Sequence, residues 1–149
     1  MNQSELAAFY RAYIDCLNRR DWDLLGRFVH PDVSHNGRRI GLAGYRTMLE
    51  RDHHEIPDLR FSIEILAVDP PRVASRLAFD CTPVGTFLGL PVDGRRIRFA
   101  ENVFYELREG TIVDVRSILD KAAIELQLAT TAPPGAAEPI PGETETLRR

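Results

Sequence analysis

Hydrophobic and polar positions alternate most clearly between Arg95 and Leu128. Ile97, Phe99, Glu101, Val103, Tyr105 and Leu107 fall on one face of an extended segment, and Arg98, Ala100, Asn102, Phe104 and Glu106 on the other. Arg108-Glu109-Gly110 then supplies a short turn in which the glycine is free to take φ > 0, and Thr111 to Leu119 returns as a second strand. The pair predicts a long antiparallel hairpin. On the return strand Ile112, Asp114, Arg116 and Ile118 share a face, which Asp120 joins if the extended period holds one step further. Val113, Val115, Ser117 and Leu119 form the opposite, largely apolar face. The period then changes: Ala123, Ile124, Leu126 and Leu128 predict a short closing helix, with Asp120 at the junction of strand and helix.

Upstream, the same patterns predict three helices and two more strands. Ser4 caps a helix running to about Arg20, with Leu6, Phe9, Tyr13 and Leu17 as its buried stripe. Asp21 caps a second, short helix ended by Pro31. Asn36-Gly37 marks a hairpin within Val33 to Ile40. Gly41 to about Glu55 reads as a third helix with Leu42, Tyr45, Met48 and Leu49 inward and His53 and His54 at its C-terminal end, where cationic side chains suit the helix dipole. Leu59 to Val68 and Val73 to Thr82 alternate as strands about the turn Asp69-Pro70-Pro71, and Gly85 and Gly89 punctuate a bend before the turn Pro91-Val92-Asp93-Gly94. The fold class that follows is α+β: helices closing a strongly curved antiparallel sheet. Residues 129–149, rich in proline and poor in large apolar side chains, predict a mobile tail, leaving residues 1–128 as one domain.

Composition narrows the function classes. A length of 149 residues suits one domain with a real core, and a net charge of −3 with scattered basic residues gives no nucleic-acid face. No apolar run approaches the ~20 residues that span a bilayer, and the N-terminal segment lacks the basic-then-apolar layout of a signal peptide, so a cytoplasmic protein with no membrane partner is expected. Cys16 and Cys81 read as reduced packing thiols. His30, His35, His53 and His54 form no metal-binding spacing.

Two readings fit Asp120: an N-cap that accepts the first amides of the closing helix, or a general acid/base at the mouth of a sheet-lined cavity. The order and spacing of Pro57-Asp58-Leu59, Gly85-Thr86-Phe87-Leu88-Gly89, Val92-Asp93-Gly94-Arg95, Gly110-Thr111-Ile112-Val113, Asp120 and Gln127-Leu128 resemble those of the SnoaL-like polyketide and ester cyclases of the NTF2-like superfamily. The resemblance implies a cone in which a curved sheet, closed by N-terminal helices, surrounds a deep apolar pocket. It implies that Asp120 is the acid/base of an intramolecular aldol ring closure on a polyketide-like substrate, with neither metal nor organic cofactor. It implies that His35 reaches the pocket as a donor or proton partner, and that the outer sheet face forms a homodimer or higher assembly.

The pocket is expected to be lined by Phe61, Phe79, Phe87, Phe99 and Tyr105. Tyr13, Glu101, Asn102 and Arg116 are the candidate polar contacts; Asn102 is an oxyanion donor in this reading, Tyr13 a pocket hydroxyl. Arg116 stands where many relatives carry Trp, and it pairs with Asp120, Glu101 or Asp114. An isomerase, an epoxide hydrolase and a non-catalytic small-molecule binder are the alternatives on the same fold.

Overall fold

The computed structural model describes residues 1–130, so the proline-rich tail, residues 131–149, lies outside the described residues. Helix α1 (Gln3–Arg19) is followed by a 3-10 turn (Trp22–Arg27), strands β1 (Val29–His35) and β2 (Arg38–Arg39), helix α2 (Gly41–Glu55), strands β3 (Ser62–Asp69), β4 (Arg72–Cys81), β5 (Thr86–Phe87), β6 (Leu90–Pro91), β7 (Ile97–Arg108) and β8 (Thr111–Leu119), and helix α3 (Lys121–Thr130). Six strands form one sheet in the order β2-β1-β8-β7-β4-β3, and β5 and β6 form a separate small hairpin.

The α+β class and the long β7–β8 hairpin are as the alternation predicts. Its turn places Glu109 at φ 53° and Gly110 at φ 82°, the mirror-image turn whose twist suits paired strands, and Asn36-Gly37 does the same between β1 and β2 with φ 48° and 83°. One pairing departs from the antiparallel expectation: β1 runs parallel to β8, with Ser34 opposite Asp114. Helix α1 begins two residues earlier than the Ser4 cap predicts, because Asn2 and Glu5 form a reciprocal capping box, with Asn2 Oδ1 accepting from the Glu5 amide at 2.8 Å. The second helix is only a 3-10 turn without a side-chain cap from Asp21, and Pro31 lies inside β1.

Helices α1 and α2 cover one face of the sheet. Leu6, Tyr10, Tyr13 and Leu17 of α1 and Tyr45 and Leu49 of α2 pack with Val73 and Leu77 of β4, Val103 and Tyr105 of β7 and Val115 of β8 in one core. The alternation along β7 therefore sends Ile97, Phe99, Val103, Tyr105 and Leu107 under the helices, while Arg98, Asn102 and Phe104 face outward on the open side.

Along β8 the facing is set by a bulge: Leu107 pairs with Ile112 and Glu106 with Asp114, so Val113 is the extra residue. Beyond it Tyr105, Val103 and Glu101 stand opposite Val115, Ser117 and Leu119, which makes those three the covered face, and Phe104 and Asn102 stand opposite Arg116 and Ile118 on the open face. The apolar set of β8, not the charged one, looks into the molecule.

His53 is a core residue rather than a solvated helix end. It is buried, edge-on to Trp22 at 5.3 Å and stacked on Phe61 at 6.0 Å, and burial holds its imidazole below its ordinary pKa, in the neutral form that such a site accommodates.

Candidate active site

A cavity of about 420 Å³ opens between the covered sheet face and helices α1 and α2. Its walls are Tyr13 and Leu17 from α1, Tyr45, Met48, Leu49 and Asp52 from α2, Phe61, and Glu101, Val103, Tyr105, Val115, Ser117 and Leu119 from the hairpin, with His35, Asn36, Leu88 and Lys121 nearer the opening. A smaller recess of about 50 Å³ adjoins it, walled by Ile56, Leu59, Phe79, Phe87 and Phe99. Asp52, Phe61, Glu101 and Leu119 line both spaces.

Local sequence fixes these positions. Asn18 on α1 forms a reciprocal pair with the Phe61 backbone, donating to its carbonyl at 2.9 Å and accepting from its amide at 2.7 Å, so Phe61 is held against the helix. Asp58 accepts from the Thr82 amide at 2.8 Å and ties the entry of β3 to the end of β4. Asp93 accepts from the Gly85 amide at 3.2 Å and so closes the loop that carries Phe87 and Leu88. Tyr45, Leu49 and Asp52 recur at four- and three-residue spacing on α2, which puts the carboxyl on the same inward stripe as the aromatic ring.

Two carboxyl groups therefore share one largely apolar hollow. Burial pushes Glu101 up to about 7, with the charge of Asp52 acting in the same direction and a hydrogen bond from Ser117 acting against it. Burial also pushes Asp52 up to about 7, helped by Glu55 and opposed by Arg51. With both pKa values raised to about 7, the two carboxyls hold about one proton between them near neutral pH. Ser117 Oγ also lies 3.3 Å from His35 Nε2, which links the imidazole to Glu101 through one hydroxyl. Burial lowers the His35 pKa, against the pull of Asp114, so this imidazole is neutral around pH 7.

The deep wall is phenolic. Tyr13 and Tyr45 share a hydrogen bond of 2.7 Å, and Tyr10 donates to Tyr105 at 3.2 Å. Burial drives the Tyr13, Tyr45 and Tyr105 hydroxyls well above their ordinary range, so they remain protonated donors. Only one proton is used between Tyr13 and Tyr45, which leaves the other hydroxyl proton for a group in the cavity.

Of the residues expected at the site, Tyr13, His35, Phe61 and Glu101 line the cavity, and Phe79 and Phe99 line its recess together with Phe61 and Glu101. Asp120, Arg116 and Asn102 are elsewhere. The Asp120 amide donates to the Ala100 carbonyl at 2.9 Å, so the strand register continues one residue past β8 and carries Asp120 to the open face with Ala100. There its Oδ1 accepts from the Ala123 amide at 3.1 Å, an N-cap contact on α3, and the residue lines a separate groove with Arg76, Asp80 and Arg98. Arg116 is exposed and donates to Asp114 at 3.1 Å, and Asn102 accepts from Arg76 at 3.1 Å on the same outer face. Asn36, Tyr45, Asp52, Ser117 and Lys121 are polar lining residues absent from the sequence-based candidates; the α2 stripe was the signal for Asp52.

A model of the SnoaL-like polyketide cyclase family matches residues 7–128. The chain belongs to the SnoaL-like polyketide cyclase family. Among solved structures it is similar to a SnoaL-like polyketide cyclase from Agrobacterium tumefaciens, 53% identical, with 86% of this chain and 99% of that chain covered and a TM-score of 0.83. TsrD from Streptomyces laurentii (21% identity, 88% and 99% coverage, TM-score 0.76) and IdmH from Streptomyces antibioticus (19% identity, 83% and 97% coverage, TM-score 0.71) share the fold. No protein with a curated description matches the sequence. SnoaL-like membership implies a small-molecule substrate. Among the described residues no helix is long and apolar enough to cross a membrane.

Proposed function

We propose that this SnoaL-like protein closes a carbon–carbon ring in a polyketide-like substrate by acid/base catalysis within the cavity, with Asp52 and Glu101 as the proton-transfer pair. The observation that carries the reading is the burial of two carboxyl groups, both raised to about 7, in one hollow large enough for a small organic molecule. The ionised member takes an α-proton from a carbon flanked by carbonyl groups. The carbanion attacks a second carbonyl carbon of the same folded chain, forming the new bond, and the protonated member delivers its proton to the alkoxide that results. The two carboxyls have then exchanged roles, so proton transfer between them resets the site, with Ser117 and His35 as the adjoining relay. The spare hydroxyl proton of the Tyr13–Tyr45 pair faces the developing enolate charge, which is poorly screened among apolar walls.

A keto–enol isomerase is the second reading, favoured by the same carboxyl pair, since proton removal and return at two carbons needs nothing further. Ring formation from an acyclic β-diketone whose central carbon carries a 5-oxohexyl arm, followed by chromatography of the cyclic six-membered ketol, separates the readings. Glu101→Gln is expected to lower the rate by about 100-fold or more, the usual contribution of a positioned acid/base, while Asp120→Asn retains activity. Loss of activity in Asp120→Asn with Glu101→Gln unaffected returns the acid/base role to Asp120.

The open sheet face supports self-association. Phe104 and Ile118 are 63% and 70% exposed on the adjacent strands β7 and β8, and Ile65 is 56% exposed on β3 of the same face, apolar surface that a second copy of the chain would cover. Sedimentation of Phe104→Glu against the parent chain tests the homodimer.

A further inference from the structure

Lys121 is the sole lysine of the chain; every other basic side chain apart from the histidines is an arginine. It is the first residue of α3, the end of a helix where a cation is unfavourable, and none of the ion pairs among the described residues involves it. Neither the helix nor a neighbouring acid accounts for a cation at this position. Its side chain instead lines the cavity opening while remaining exposed. Of the other polar groups near that opening, Asn36 is fully engaged with the Ser117 backbone, donating at 3.2 Å and accepting at 2.8 Å, and His35 is turned to Ser117 Oγ. The adjoining recess offers a ligand only apolar walls, Phe79, Phe87 and Phe99 among them, apart from Asp52 and Glu101.

We propose that Lys121 determines specificity by holding a carboxylate, or an equivalent anionic end group, at the rim while an apolar end of the same molecule enters the phenylalanine-walled recess. The substrate class is thus an amphipathic acid, held by its anionic and its apolar group so that the carbons between them lie against Asp52 and Glu101, two of the residues common to both spaces. The inference rests on the cavity being the substrate site.

Hydrocinnamate and hydrocinnamamide differ only in the charge of the end group, and their binding to the full chain is measured by calorimetry. The acid is expected to bind about ten-fold more tightly than the amide, the value of one charge-assisted contact. Lys121→Met is expected to abolish that preference and Lys121→Arg to keep most of it. Acetylation of the native protein, which reaches Lys121 and the terminal amine alone, is expected to act as Lys121→Met does, without dependence on refolding of a variant. Glu101→Gln keeps the preference whether or not it abolishes ring closure, so the anchoring and the acid/base readings fail separately. Equal binding of acid and amide to the unmodified chain, or an unchanged preference in Lys121→Met, overturns the assignment. Absence of binding by both overturns it together with the cavity as the substrate site.

Discussion

The two faces of the six-stranded sheet carry the same chemical group in opposite states. On the open face Asp80 is held by Arg96 at 2.7 Å and Arg98 at 3.2 Å, and those contacts keep its pKa below the ordinary carboxylate value; Asp114 is paired with Arg116 and Glu106 with Arg72. On the covered face Glu101 has no arginine: it meets phenol rings, aliphatic side chains and a second carboxyl, and its pKa rises to about 7. One step along a strand thus converts a permanent anion into a group that exchanges protons at neutral pH. What decides the outcome is solvation and the sign of the neighbouring charge, not the identity of the residue.

The contrast can be broken from either side. The largest effect is expected at the covered face, where Glu101→Gln removes one half of the acid/base pair, and the parent's rate of ring closure should fall on both sides of neutral pH because only the singly protonated pair is competent. Stability comes next. Asp52 and Glu101 have folded-state pKa values of about 7 against ordinary values of 3.8 and 4.5, so the folded chain binds more protons than the unfolded one between those limits. Their contribution is fully present below the ordinary range and is lost as pH rises through about 7. Chemical denaturation at pH 5 and pH 8 is expected to show the parent losing on the order of 5 kcal/mol more than the Asp52→Asn/Glu101→Gln double variant over that interval.

Effects on the open face are smaller. Asp120→Ala removes the contact to the Ala123 amide and should cost about 1 kcal/mol of stability by the same denaturation measurement, as loss of a helix N-cap does. Arg116→Ala breaks an exposed pair with Asp114 and should change stability by less than about 0.5 kcal/mol.

The reach of the sequence follows from what each element depends on. The α+β class, the hairpin turns at Asn36-Gly37 and Glu109-Gly110 and the inward helix stripes rest on local chemistry, and each is where the pattern put it. The alternation of β7 was legible for the same reason, but Asn102 was offered for the pocket along with Glu101, and only the latter lies on the covered face. The facing of β8 was not. Its alternation separates Arg116, Ile118 and Asp120 from Val115, Ser117 and Leu119, but which set looks inward depends on the long-range register that puts Leu119 opposite Glu101 and on the bulge at Val113. Placing Arg116 beside Glu101 was the consequence.

Asp52 was obscured differently. An acidic residue on a helix reads as solvated until Leu49 and Tyr45, one and two turns before it, show that its stripe is buried. Several motif residues that carry the family resemblance also have structural work to do: Asp58 and Asp93 fasten loops, and Gln127 accepts from the Arg98 amide at 2.7 Å while its amide group donates to the Arg98 carbonyl, pinning α3 to β7.

Carbon-13 NMR titration of the side-chain carboxyls of the labelled full-length chain tests the shared proton most directly. Two resonances, absent one each from Glu101→Gln and Asp52→Asn, are expected to move together with apparent midpoints near 7. Ordinary carboxylate midpoints for both, near 4, would contradict the account.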